Sequence, residues 1–255
     1  MTNFADLKQS DLDRQKRQEY VTQLFDNLAP RYDRFNRAVS LFRDEAWRNK
    51  TIQLLGENRS GTILDLAAGT GDLAHSALRL GARQVHVFDI SREMLTFAKE
   101  KFRRQSDMQT NAAFELGSAE SLPFKEGAMD GVVSGFAMRN VFHFLDDVLA
   151  EVYRVLKPGG SVAILELSQP DNPLLRHGFR LHMKIVMPAI GKLTTGDSAP
   201  FAYLRETTMT FLTREQFKRR LERAGFVQVK WHCFMLGAIA VHYGTKPHRT
   251  SISDR

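Results

Sequence analysis

Ile63-Leu64-Asp65-Leu66-Ala67-Ala68-Gly69-Thr70-Gly71-Asp72-Leu73 is a short apolar run that closes on an acidic residue and a glycine turn. The pattern predicts a strand, a tight loop and a helix start, the unit on which nucleoside-type cofactors sit. Gly69-x-Gly71-x-x-Ala74 satisfies the relaxed dinucleotide fingerprint, and Asp89 stands about where that fingerprint places its ribose-binding acid. By itself the motif leaves a nicotinamide dinucleotide and S-adenosylmethionine both open.

Outward from this motif, apolar runs alternate with helical stretches, which predicts repeated βα units and a parallel sheet with helices on both faces. Strands are expected at Thr62–Ala67, Gln84–Ile90, Ala112–Leu116, Met129–Gly135 and Ser161–Leu167, with helices at Asp72–Leu80, Ser91–Arg104 and Leu145–Leu156. Ser91 ahead of Met94, Leu95 and Ala98 has the character of an N-cap on an amphipathic face, and Lys157-Pro158-Gly159-Gly160 is a helix stop.

Gln169–Thr213 breaks the pattern, with three prolines after Pro170 and an irregular Gly191–Pro200 stretch. It suits helices and loops laid over a site better than core sheet. A helix at Thr213–Ala224, Gly225 as its stop and strands at Val227–Phe234 and Ala238–Gly244 then complete the sheet. Upstream, Leu12–Leu28 places Tyr20, Val21, Leu24, Phe25 and Leu28 at helical spacing. The expected organisation is a helical cap segment over 1–60, a core over 61–168, a helical or loop substrate cap over 169–212, the last helix and two strands over 213–247, and a polar tail that begins at Lys246 and is disordered over 248–255.

The chain has 255 residues, 43% apolar and 25% charged, enough for one large core. A single Cys excludes a disulfide framework and fits a reducing cytoplasm; Cys233 is expected to be a small buried filler rather than a nucleophile. No apolar run has the length of a membrane span and the N-terminus has no signal-peptide core, so a cytoplasmic protein is expected. The net charge of +7 favours an anionic partner, with nucleic acid and a membrane surface both open.

Gly69 and Gly71 would let a ligand approach the backbone closely, and Asp89 could accept both hydroxyls of a ribose. Pyrophosphate prefers free N–H groups at a helix N-terminus, whereas a methionine tail carries an ammonium and a sulfonium. Negative charge from Asp65 and Asp72 on either side of the turn therefore favours S-adenosylmethionine. Asp72 is also readable as a plain helix N-cap, which suits either cofactor. Gly117-Ser118-Ala119-Glu120 leaves the third strand at the level of an adenine. The chain has no Gly-x-Ser-x-Gly elbow, no His-Glu-x-x-His helix and no Cys pair, so nucleophilic or metal catalysis is not expected.

Four segments together resemble the class I S-adenosylmethionine methyltransferases of ubiquinone and menaquinone biosynthesis: Tyr32-Asp33-Arg34-Phe35-Asn36 with Ser40 and Trp47; Leu64–Leu73; Phe136-Ala137-Met138-Arg139-Asn140-Val141; and Arg154–Gly160 running on to Glu166-x-Ser168. Ala238–Gly244 is similar to the family's last strand, and the likeness covers about residues 20 to 247. The chain departs from the family pattern at Phe35, at Asp44 and at Ala137. The resemblance implies a Rossmann-like α/β fold of seven mostly parallel strands with the last antiparallel, and C-methylation of a polyprenylated quinol.

The resemblance also implies a cofactor-facing set of Asp65, Gly69, Thr70, Gly71, Asp89, Ile90, Met94, Ser118, Ala119, Glu120 and Gly135. Arg139 and Asn140 would meet the quinol oxygens, and Tyr32 and Asp33 would close the pocket. Carbon methylation beside a phenol needs electron density pushed into the ring; Arg139 would stabilise phenolate while water, Asp33 or His143 takes the proton. Leu174–Ile190 and the Leu12–Leu28 helix would wall a prenyl path, with Arg176, Arg180, Lys184 and Lys192 suited to anionic headgroups at the inner face of the membrane. A homodimer is left open.

Other classes are less favoured. The fourth strand ends in Ser134-Gly135-Phe136-Ala137, without the Asn/Asp-Pro-Pro-aromatic signature of amino-group methylation in nucleic acids, and no nucleic-acid partner is expected. The glycine loop alone also allows a nicotinamide dehydrogenase. A non-catalytic lipid-binding scaffold would lose cofactor binding, yet Gly69, Gly71 and Asp89 are intact.

Overall fold

The computed structural model describes residues 42–104, 111–195 and 199–248, together with positions 19, 21–26, 29, 37 and 40. Seven strands form one sheet: β1 (Thr62–Leu66), β2 (Gln84–Asp89), β3 (Ala112–Leu116), β4 (Met129–Gly135), β5 (Leu156–Leu167), β6 (Val227–Phe234) and β7 (Ile239–Thr245). Their order is β3-β2-β1-β4-β5-β7-β6. The first five pair in parallel, and β7 runs antiparallel to both β5 and β6. The connections reverse direction between β1 and β4, which opens a crevice at the carboxyl ends of those two strands.

The sheet exists because its centre is apolar on both faces. All five residues of β1 are buried. Leu64, Leu66, Phe88 and Val132 point into one core, against Val148, Leu149 and Val152 of helix α4 (Leu145–Val155). Ile63, Val87 and Val133 point into the other, against helices α1 (Asp44–Gln53), α2 (Asp72–Arg79) and α3 (Arg92–Arg103). This two-sided burial is what an all-parallel centre requires.

Helix limits follow local chemistry. Ser91 Oγ accepts the Met94 N–H at 3.0 Å, the cap expected for α3. Helix α4 stops at Val155, and β5 takes up Leu156 and the Lys157–Gly160 run, beginning earlier than its apolar residues suggest. Helix α7 (Arg214–Arg223) opens with a capping box between Thr213 and Gln216 and stops ahead of Gly225, whose φ is +101°.

The stretch over 169–212 carries helices, as read from the sequence: α5 (Pro173–Thr195) and α6 (Ala199–Thr210). Three expectations are corrected: the irregular run from Gly191, the burial of Cys233 and the tail from Lys246. Helix α5 continues past Pro188 and Gly191. Met183, Met187 and Leu204 form a small separate core there. Cys233 is exposed, because β6 is the sheet edge and turns most of its side chains outward. Lys246 belongs to the folded body rather than to a tail: its Nζ donates to the carbonyls of Tyr153 at 2.7 Å and Leu156 at 2.8 Å and sits 4.5 Å from the Tyr153 ring centre.

Candidate active site

Two strand ends shape the crevice by turning the backbone left-handed at non-glycine residues, Ala67 (φ +54°) after β1 and Phe136 (φ +58°) after β4. Such conformations cost roughly 1–3 kcal/mol each and persist where the surroundings enforce them. Beside them lie three hollows that share wall residues. The first, about 70 Å³, is lined by Asp89, Ile90, Ser118, Ala119 and Asn140. The second, about 30 Å³, lies at the glycine turn against Asp65, Thr70, Asp72 and Gly135; Ala67 belongs to both. The third is a cavity of about 450 Å³, and it shares Arg48 and Phe136 with the second.

At the first hollow, Asp89 accepts the N–H of Gly69 at 2.7 Å on one oxygen and that of Ser91 at 2.8 Å on the other. The Ile90 N–H is a third backbone donor to this carboxylate, which leaves it able to accept a further donor such as a ribose hydroxyl. Burial pushes the Asp89 carboxyl above its ordinary pKa against the pull of these backbone donors. Glycines permit the geometry indirectly. Gly71 sits at φ +76°, and a Cβ there would stand 3.1 Å from the Phe102 ring and 3.4 Å from Ala98. Its bareness therefore lets α3 approach the turn, a correction to the expectation that it clears space for ligand.

At the second hollow, Asp65 is buried and receives the Ala74 N–H at 2.8 Å. Burial raises its pKa to about 7, with further upward pressure from Asp89 and Asp72. Arg48 offsets part of this rise, and a cation entering the cleft would favour the ionised form further. Asp72 behaves differently. Gly71 occupies the N-cap position of α2, and Asp72 pairs with Arg48 at 2.8 Å and Lys101 at 2.7 Å. The expectations that it caps the helix, or offers an uncompensated charge, are both corrected. Arg48 and Lys101 depress its pKa although burial opposes them.

The third cavity is mostly apolar, walled by Leu24, Phe25, Trp47, Leu174, Phe179, Met183 and Met187, with Asp44, Arg48, Arg139, His182 and Tyr203 as its polar members. Arg139 is 8% exposed and is clamped: Nη1 donates to Glu166 Oε1 at 2.6 Å and to the Phe136 carbonyl, while its Nε has no acceptor among the described residues. Its ion pair with Glu166 is buried. Asn140 diverges from Arg139 and lines the first hollow, where its Oδ1 accepts the Tyr203 hydroxyl at 3.0 Å.

Of the remaining expected site residues, Ile90, Thr70, Ser118, Ala119 and Gly135 line the two smaller hollows. Met94 is buried in the core and Glu120 lies within 3.5 Å of Ser118 Oγ; neither is in these walls. His143 is exposed on the turn before α4. Tyr32, Asp33, Phe35 and Asn36 lie outside the described residues, as does the Lys192 side chain. Sequence reasoning missed Arg48, Lys101 and Tyr203; Arg48 stands one residue after Trp47, so its helical neighbourhood with Asp44 was the available signal.

The model of the ubiE/COQ5 methyltransferase family matches residues 13–246. The chain is 38% identical over 232 residues to a demethylmenaquinone methyltransferase of Bacteroides fragilis, covering 91% of this chain and 94% of that one. It is 36% identical over 244 residues to the enzyme of the same name from Staphylococcus aureus, covering 95% and 99%. Among solved structures, an S-adenosylmethionine-dependent methyltransferase of Thermotoga maritima aligns with a TM-score of 0.61 at 18% identity, over 88% of this chain and 99% of that one. A phosphoethanolamine N-methyltransferase of Haemonchus contortus, solved with S-adenosylhomocysteine, aligns with a TM-score of 0.58 at 18% identity, over 79% and 52%.

Proposed function

Because the chain belongs to the ubiE/COQ5 methyltransferase family, we propose that it transfers a methyl group from S-adenosylmethionine to a ring carbon of a polyprenylated, demethylmenaquinol-type naphthoquinol. The observation that carries this reading is the adjoining of a large apolar cavity to the glycine-turn cleft, with Arg48 and Phe136 common to both. A prenylated ring needs such an apolar volume, and its reacting carbon must reach the cleft.

The cleft suits the cofactor. Asp89 would take the ribose hydroxyls, Ser118 and Ala119 would flank the adenine, and Asp65 would face the ammonium. Bound there, S-adenosylmethionine supplies an electrophilic methyl group on a sulfonium. The chain's own work is to hold the ring and favour phenolate. Arg139, whose guanidinium Glu166 fixes in the cavity wall, would face a ring oxygen, since a phenol titrating near 10 needs a cation beside it to ionise. Asn140 would act through Tyr203 as a positioning residue. Tyr32 and Asp33 keep the closing role that the resemblance implies.

The same reading places the protein at a membrane surface. No helix among the described residues is long and apolar enough to cross a membrane. Yet Leu174, Leu181, Ile185 and Val186 of α5 are exposed, with Arg180 and Lys184 exposed on the same helix. Leu24 and Phe25 with the α5 residues would form the prenyl path.

The test is methyl transfer from methyl-labelled cofactor to chemically reduced, prenylated demethylnaphthoquinone in mixed micelles, with the prenylated benzoquinol as a second arm. A naphthoquinol product heavier by one CH₂ is expected. Methylation of the benzoquinol alone, or of neither ring, overturns the reading.

A further inference from the structure

Among the described residues, Asp44 is the one carboxylate in the wall of the large cavity. It sits in the first turn of α1 and is 7% exposed. Ser40 Oγ donates to one of its oxygens at 2.9 Å, and Arg48 Nη1 donates to the other at 2.6 Å. Arg48 gives its second arm to Asp72, which has a further cation in Lys101. Among the described residues, Asp44 therefore has one ion-pair partner, which it shares with Asp72, and each of its oxygens accepts one of these hydrogen bonds and has a further lone pair.

We propose that Asp44 accepts the ring-hydroxyl proton during methyl transfer, an assignment that rests on the quinol-methylation reading above. The hydroxyl O–H bond breaks as a new O–H bond forms on the carboxylate, and the oxygen's electron pair moves into the ring. The C–C bond forms as the methyl–sulfur bond breaks, with sulfur keeping that pair. The ring C–H proton then leaves to water and aromaticity returns. Asp44 gives its proton back to the ring oxygen, so one proton is released per turnover. A phenol is about six pKa units weaker as an acid than a carboxyl group. The transfer therefore proceeds as Arg139 and the forming C–C bond draw charge from the oxygen. Its rivals and neighbours are Arg48 on the same helix, Arg139 beyond β4, His182 on α5 and Tyr203 on α6.

The test is kcat/KM for the quinol, with S-adenosylmethionine saturating at every pH, between pH 6 and 9 for the wild type, D44N, D44E and H182Q, with S-adenosylhomocysteine affinity and cooperative melting measured for each. The wild type should be flat within about twofold. D44N should lose at least about thirtyfold at pH 7 and climb about tenfold per pH unit, since its substrate must ionise unaided. D44E should restore the flat profile, H182Q should keep it, and cofactor affinity should stay within about threefold. A uniform loss in D44N with a flat profile, or the climbing profile in H182Q instead, overturns the assignment. A wild type that methylates no quinol overturns the parent reading, and the proposal falls with it.

Discussion

Arg139 Nη1 stands 2.6 Å from Glu166 Oε1, with both side chains more than nine-tenths buried. Strand β5 delivers the acid and the turn after β4 delivers the base, so the pair ties the floor of the large cavity to the sheet. A buried pair of this kind positions well but is costly to break on one side, by about 3–5 kcal/mol.

Arg139→Ala should therefore lower both stability and turnover. Thermal melting should drop by several degrees, and kcat should fall about a hundredfold or more, as when a preorganised charge is removed. Affinity for S-adenosylhomocysteine should change less than about threefold. An equal loss of turnover and cofactor affinity would argue that Arg139 supports the cleft rather than the ring.

Cofactor binding should be pH-dependent through Asp65. Its pKa of about 7 means that the carboxyl must shed a proton before an ammonium can pair with it. Calorimetry with S-adenosylhomocysteine should show affinity rising from pH 6 towards 8, by at most about tenfold per unit, with proton release visible in buffers of different ionisation enthalpy. D65N should bind weakly and without that dependence. A flat wild-type curve would place the cation elsewhere.

Acid stability should report on His242. Burial lowers its pKa from 6.5 to about 4, and its Nε2 lies 3.0 Å from the Arg214 carbonyl. The unfolded chain binds this proton first, so the stability His242 contributes is present above about pH 6.5 and is lost as pH falls towards 4. Asp65, with its raised pKa, acts with opposite sign over the same window. The difference between wild type and H242Q in urea denaturation isolates the histidine, and should shrink by up to about 3 kcal/mol between pH 7 and 4. A constant difference would mean that His242 titrates normally.

Flotation with anionic vesicles at low salt should carry the protein upward. R180A/K184A should reduce the partition roughly thirtyfold, at about 1 kcal/mol per basic side chain. L174S/I185S, which removes apolar surface without adding charge, should reduce it independently of salt. Recovery only in the dense fraction would remove the membrane surface from the reading.

Much of the fold was legible from local pattern. The glycine turn, the Ser91 cap, the Gly225 stop and the alternation of runs are short-range features, because backbone φ, capping and side-chain period act within a few residues. Where the pattern failed, longer-range packing decided. Gly191 did not interrupt α5, whose Met183 and Met187 are held against Leu204 of α6. Cys233 came to the surface because only the sheet order makes β6 an edge.

The sequence by itself determined that a parallel α/β core carries an acidic, glycine-turned crevice with Asp89 beside it. It could not determine how charge is shared there. Asp72 reads as a free anion until Arg48 and Lys101 fold against it, while Asp65 is raised towards neutrality by burial, with Asp89 and Asp72 adding to the rise. Arg139 and Asn140 are chain neighbours, yet the turn after β4 sends one into the large cavity and the other to the first hollow. Coulomb energy and desolvation depend on distance and dielectric, which adjacency along the chain does not encode. The carboxylates named by the sequence thus acquired their distinct chemistries only from tertiary packing.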